Sequence, residues 1–316
     1  MYVASSPSGL PSGLCYGTGQ GTCVTIGNFD GVHIGHQALL ASARVRAERA
    51  RRPLVTVTFD PHPLEVLAPQ MAPPRLTDTP TRLRLLQQAG IDAVLLLPFT
   101  CELAAMEPDA FVREILVTGL NAHDLFIGYD FSLGKGRAGT GAVLSALGEK
   151  LHYSCERFGP VLVDGEPVSS TRIRQLIRKG DMPGAAALLG RQHGVCGTVV
   201  SGFRRGRDLG FPTANLEPPK VQMPPVGVYA TWARLGIERF PAVTNVGDNP
   251  TFAGESMTVE THLLDFSRDL YGQELEIDFI QRIRDQVKFD GPQALVRQIA
   301  QDVSQARDIL ASSIRQ

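Results

Sequence analysis

The sequence predicts an α/β domain with a doubly wound parallel sheet, followed by a small antiparallel β-barrel that ends in a helix. From Thr22 to about Arg178, short β-rich apolar runs alternate with stretches of helical period, the pattern of strands buried between helix layers. After Gly190 the texture changes to Gly-rich and Pro-rich turns separating strand-like runs, the pattern of a small closed barrel. The length of 316 residues exceeds what one core usually organises, since domains cluster near roughly 100 to 150 residues.

The first 21 residues carry neither a basic start nor an apolar run, so residues 1–21 are expected to be a flexible tail rather than a signal peptide. Strands are expected at Cys23 to Ile26, Leu54 to Phe59, Ala93 to Leu97 and Leu125 to Gly128, each bounded by Gly, Pro or polar residues. Helices are expected at His36 to Arg51, Thr81 to Gln88, Pro108 to Val117 and Gly141 to Lys150. Pro108 suits a first helical turn, where its missing N–H costs nothing. The first domain is placed at 22–187 and the barrel at 188–316. Barrel strands are expected at Gly197 to Ser201, Val228 to Leu235, Phe240 to Val246, Thr258 to Leu264 and Leu275 to Phe279. A final helix begins near Pro292, with Leu295, Ile299, Val303, Ala306 and Leu310 on one face to pack on the barrel.

Composition narrows the class. Hydrophobic residues make up 43% and charged residues 20%, an ordinary soluble globule. The net charge of −1 argues against a nucleic-acid or anionic-membrane partner. The most apolar run, Ala93 to Leu97, is far too short to cross a bilayer. The 5 cysteines lie apart without a CxxC pair and read as reduced thiols of a cytoplasmic protein.

Two segments carry phosphate chemistry. The loop NFDGVHIGH, Asn28 to His36, follows a strand and leads into a helix, where free N–H groups and the positive dipole end make an anion site. Its ATP-phosphate candidates are Gly27, Asn28, Phe29, Asp30, His33 and His36; Gly35 lets a ligand approach the backbone. An isolated HxGH is equally compatible with two surface histidines at a helix cap. Its place at the switch-point end of an α/β sheet favours a ligand. SSTRIR, Ser169 to Arg174, offers Ser169, Ser170 and Thr171 as donors and Arg172 and Arg174 as cations. Alone it could be simple N-capping. In the second domain, GFPTAN presents Thr213 and Asn215, whose oxygens suit hard Mg²⁺ when ATP phosphates and water complete the shell.

Taken together, TIGNFDGVHIGHQ (25–37), TFDPHP (58–63), GYDFSLGKGRAG (128–139), VSSTRIR (168–174), GRDLGFPTANL (206–216), GVYA (227–230) and VETHLLDF (259–266) resemble, in order, the motifs of the bacterial bifunctional riboflavin kinase/FAD synthetases. The resemblance covers 22–178 with the nucleotidyltransferase module and 190–312 with the kinase module. It implies phosphorylation of riboflavin to FMN by the C-terminal module and adenylylation of FMN to FAD by the N-terminal one. ATP, riboflavin, FMN and FAD would be its partners, in a monomer or weak homo-oligomer. It also implies His33, His36 and Arg174 as catalytic groups of adenylyl transfer and Glu260 as the carboxylate beside the riboflavin 5′-hydroxyl. Flavin-facing residues would be Asp60, Pro61, His62, Asp130, Arg137 and Arg284. In the kinase module Gly202, Arg207, Gly210, Pro212 and Thr213 would face ATP, with Thr213 and Asn215 holding Mg²⁺ as Mg·ATP. The sequence departs from the family pattern at Leu133, usually aromatic, at Asn249, usually arginine, and at Gln286, usually glutamate.

Overall fold

The computed structural model describes residues 1–15, 19–201, 209–251 and 254–313, without the side chains of 249–251 and 254–256. Gly202, Arg207 and the side chain of Asn249 therefore lie outside the described residues. The chain forms two compact units, Met1–Ser169 and Ser170–Gln316.

The first unit is built on a six-stranded parallel sheet. Its strands are β1 (Tyr2–Ala4), β2 (Thr22–Ile26), β3 (Leu54–Asp60), β4 (Ala93–Pro98), β5 (Ala122–Gly128) and β8 (Ser154–Phe158), in the order β1-β4-β3-β2-β5-β8. Two short hairpins, β6 (Ser132–Leu133) with β7 (Gly139–Thr140) and β9 (Leu162–Val163) with β10 (Glu166–Pro167), hang from it. Helices α1 (Ser12–Cys15), α2 (Ile34–Ala50), α3 (Pro63–Leu67), α4 (Thr79–Gln88), α5 (Cys101–Ala105), α6 (Pro108–Phe111) and α7 (Gly141–Leu151) complete the unit. α6 runs on into a π-helical stretch, Val112–Gly119.

Alternation along the strands supplies a core on each face. Cys23, Leu54 and Val94 pack with Leu39, Leu40, Ala43 and Ala47 of α2. Their neighbours Val24, Val55 and Leu95 pack with Phe111, Leu116 and Leu144. Both faces are therefore covered, as a parallel sheet requires. After β4 the chain crosses back to place β5 beside β2, so the switch point opens at the carboxyl ends of β2 and β5, directly over the NFDGVHIGH loop.

The expected N-terminal tail is a correction. Tyr2–Ala4 pairs in parallel with β4 as an edge strand, Tyr2 opposite Ala93, and Leu10 and Cys15 are buried. A three-residue strand between turns gives no period long enough to recognise from sequence.

The second unit opens with α8 (Ser170–Lys179) and α9 (Met182–Leu189). A closed antiparallel barrel follows, made of β11 (His193–Val200), β12 (Ala214–Leu216), β13 (Gly227–Leu235), β14 (Glu238–Thr251), β15 (Gly254–Leu263) and β16 (Glu274–Arg284), in the order β11-β12-β15-β14-β13-β16. Inside it, the hydroxyls of Thr231, Thr244 and Thr261 join across β13, β14 and β15 at 2.8 and 3.0 Å. α10 (Pro292–Ser313) lays Ala306 and Leu310 on Val228, Ala230 and Trp232, with Val303 at the margin. The division between units falls before α8, ahead of the boundary expected at 187/188. α9 buries Met182, Ala185, Leu188 and Leu189 and packs on β11 and β16, which binds the helical pair to the barrel.

Candidate active sites

In the first unit, four strands deliver their loops to one edge of the sheet. β2 ends at Ile26, paired with Val57 of β3, while Asp60 of β3 pairs with Pro98 of β4 and Thr25 of β2 with Phe126 of β5. The loop after β2 turns through positive φ at Phe29, Gly31 and Val32, and His33 then caps α2. His33 Nδ1 accepts from the His36 amide at 3.3 Å, and the two imidazoles stack with centroids 3.6 Å apart. The edge of Phe29 meets His36 at 5.2 Å. Burial, and then the neighbouring His33, push the His36 imidazole well below the usual histidine range, so this ring is neutral. Its Nδ1 is buried with no hydrogen-bond partner, an atom ready for a ligand. Gly35 is required here. A Cβ would meet the His33 ring at 3.2 Å and the Val168 carbonyl at 3.8 Å, so the start of VSSTRIR passes beside the HxGH glycine.

Two of the residues expected to face ATP, Phe29 and Asp30, have buried side chains. Asp30 is buried and accepts from the Leu76 and Thr77 amides at 2.9 and 3.2 Å. A carboxylate would repel phosphate, and this one instead ties the loop to the segment before α4. The Phe29 side chain is also buried. Asn28 is well placed, its Nδ2 3.5 Å from His62 Nε2, which joins the NFDG and TFDPHP segments.

Among the residues assigned to the flavin, Asp60 is held by Arg75 Nη1 at 2.8 Å and by the Thr79 hydroxyl at 3.1 Å. Arg75 also donates to Glu65 at 2.6 Å, which holds that carboxyl below its usual range. Glu65 in turn closes a capping box with His62 over Pro63 at the start of α3. Asp130 is exposed after β5, and Arg137 donates to Ser132 at 2.7 Å. Leu133, at a position usually aromatic, is buried in the sheet core. Sequence reasoning missed Arg75 and the buried Arg82. Their partners lie 4 to 54 residues away, and all but Thr79 are brought in by the fold rather than by spacing.

Ser170 and Thr171 open α8 and Arg174 is one of its buried residues.

In the second unit, Gly210 turns at φ +86°, a conformation that favours glycine, and feeds Pro212 and Thr213 into β12. β15 pairs Glu260 with Asn215 of β12 on one side and with Asn245 of β14 on the other. Paired residues share a face, so two amides flank the carboxylate. All three line a cavity of about 460 Å³, together with Thr213, Asp248, Thr258, His262 and Gln286 and the apolar Phe211, Val243, Val287, Phe289, Leu295 and Ile299. That size and mixture suit a small aromatic ligand with a polar arm. His262 Nδ1 donates to the Pro212 carbonyl at 2.7 Å, pinning the strand that carries Thr213. Arg284 also lines the cavity, locked by Asp302 of α10 through Nε at 2.9 Å and Nη2 at 2.7 Å, with its guanidinium 5.7 Å over Phe289. Asn245 and Asp302 escaped the sequence reading because register and helix docking bring them in, not spacing.

An α/β unit with a phosphate-type helix start at its switch point, and a barrel whose cavity holds a carboxylate between amides, together define a two-module nucleotide-using enzyme. Residues 17–172 match the FAD synthetase family and 189–310 the riboflavin kinase family. A bifunctional riboflavin kinase/FMN adenylyltransferase from Haemophilus influenzae is 37% identical over 289 residues, covering 91% of this chain and 94% of that one. The Escherichia coli K12 protein of the same description is 38% identical, covering 92% and 93%. A solved structure described as a macrolide-efflux protein from Streptococcus pneumoniae superposes with a TM-score of 0.86 at 30% identity, covering 96% of this chain and 98% of that one. The chain belongs to the bifunctional riboflavin kinase/FMN adenylyltransferase family.

Proposed function

We propose that the C-terminal module, 188–316, phosphorylates riboflavin to FMN and that the N-terminal module, 22–187, adenylylates FMN to FAD with release of pyrophosphate. The observation that carries this reading is Glu260 set between Asn215 and Asn245 in a cavity otherwise largely apolar.

In the kinase reaction the riboflavin 5′-oxygen attacks the γ-phosphorus of ATP, its proton passes to Glu260, and ADP leaves. An ordinary carboxylate suffices, because phosphoryl transfer is loose and asks mainly for alignment and late proton removal. The donor set of Thr213 and Asn215, a hydroxyl and an amide oxygen, fits Mg²⁺ carried in by ATP; when bound, the ion neutralises phosphate charge. Arg284, immobilised by Asp302, and Phe289 beneath it would form the wall against the flavin ring. Gly202, Arg207, Gly210 and Pro212 are assigned to ATP from the motif.

For adenylyl transfer an FMN phosphate oxygen attacks the α-phosphorus and pyrophosphate leaves, so the protein supplies alignment and charge stabilisation, not a nucleophile. His36, neutral and with Nδ1 unpartnered, would act as a hydrogen-bond donor or charge up beside the phosphates. His33 fixes its geometry by stacking. Gly27, Asn28 and the α2 amides complete the anion site, while Ser169, Ser170, Thr171 and Arg174 are assigned to phosphate on their motif. Asp60, Pro61, His62, Asp130 and Arg137 are proposed for the FMN side. We assign Asp30 to holding the loop.

ATP and flavins are the proposed partners of a monomer or weak homo-oligomer in the cytoplasm. An efflux role, as in the description of the streptococcal structure, is not carried over, because both family matches are to flavin-cofactor enzymes. Incubation with riboflavin and Mg·ATP, followed by chromatographic separation of FMN from FAD, tests the reading. It predicts FMN first and FAD after it; a chain that leaves riboflavin unphosphorylated contradicts it.

A further inference from the structure

Arg82 is an expensive residue for its position. It is 3% exposed on α4, and burial pulls its guanidinium below the usual arginine range. An aliphatic side chain would fill the same space without that desolvation. Its Nε has no partner, and its two terminal nitrogens each donate to a neutral acceptor: Nη1 to the Asn28 carbonyl at 3.0 Å and Nη2 to the Phe59 carbonyl at 2.9 Å. Those carbonyls belong to different segments. Asn28 opens the loop that leads to His33 and His36, and Phe59 immediately precedes Asp60 to His62. No strand pairing joins the chain at Asn28, which lies beyond the end of β2.

The rest of the same segment works to one end. Arg75 holds Asp60 and Glu65, and the Leu76 and Thr77 amides hold Asp30. We propose that Arg82 is a positioning residue of adenylyl transfer, a clamp whose planar fork sets the nucleotide loop and the TFDPHP loop against each other through one carbonyl from each. A guanidinium suits this task because its donors diverge in a fixed plane. The proposal rests on the reading of the first unit as the adenylyltransferase.

The test uses the full chain with Arg82→Met, Arg82→Lys and Arg82→Ala. With FMN supplied directly, Arg82→Met is expected to lose about 100-fold in adenylylation kcat, the scale of an approximately 1 Å misplacement, while riboflavin phosphorylation by the same molecule is unchanged. Arg82→Lys, still able to donate, should recover to within about 10-fold of wild type, and millimolar guanidinium should restore Arg82→Ala but not Arg82→Met. Hydrogen exchange should rise at 28–33 and 59–65 in Arg82→Met and stay unchanged in the barrel. Should adenylylation by Arg82→Met stay near wild type, or should Met and Lys lose it equally, the clamp is wrong. Unchanged exchange at both loops would also overturn it, even if wild type made no FAD, a result that by itself would sink only the functional reading.

Discussion

His36 and Glu260 are assigned their proposed roles in two different ways. His36 stands in a motif whose local context, strand, loop and helix start, was readable from the chain. Its neutral state was not, since that comes first from burial and then from the neighbouring His33. His36→Ala is expected to weaken adenylylation by about 2 to 4 kcal/mol, the range for losing one transition-state donor, with riboflavin phosphorylation untouched. Equal loss in both assays would point to a folding defect. Glu260 was named from resemblance, and its physical setting appears only through register, which puts Asn215 and Asn245 opposite it. Glu260→Gln preserves shape and is expected to lower kinase turnover by about 100 to 10,000-fold while riboflavin still binds. Near-normal turnover would move the base to another carboxylate, with Asp248 of the same cavity next in line. The motif gave no sign of the contacts of Asp30, whose carboxylate accepts from the Leu76 and Thr77 amides 46 and 47 residues away.

At the scale of elements, long periodic stretches were legible and short ones were not. α2, α4, α7 and α10 lie within a few residues of expectation because each runs ten residues or more without an internal break. β1 and β12 were missed, since three-residue strands are defined by their partners, β4 for one and β11 and β15 for the other. β11 starts with His193, 2% exposed, whose Nε2 donates to the Gln222 carbonyl at 2.7 Å. Burial lowers its imidazole to about 4. Because the folded value is depressed, the unfolded chain takes up the proton first as pH falls, so this stabilisation is present above about 6.5 and is lost between there and about 4. The melting temperature of the barrel should therefore fall through that window. A His193→Gln chain, which keeps a donor without the titration, should show a shallower fall; an identical profile would show that His193 does not contribute.

For the whole molecule, two units with separate cores imply separable chemistry, and the structure moves the place to cut. A fragment beginning at Ala185 would sever α9 and remove Met182 from the buried face it shares with Leu188 and Leu189. A fragment beginning at Ser170 keeps the second unit whole. It is expected to fold, convert riboflavin to FMN and stop, whereas the shorter fragment should be less stable by circular dichroism melting. FAD from the folded 170–316 fragment would refute the assignment of reactions to units.

The central claim, two independent sites on one chain, is tested most directly by mixing full-length His36→Ala and Glu260→Gln chains with riboflavin and Mg·ATP. Alone, the first should accumulate FMN and the second should leave riboflavin unchanged yet make FAD when given FMN; together they should carry riboflavin through to FAD. If each variant lost both reactions and the mixture made no FAD, the two sites would not be independent and the account would fail.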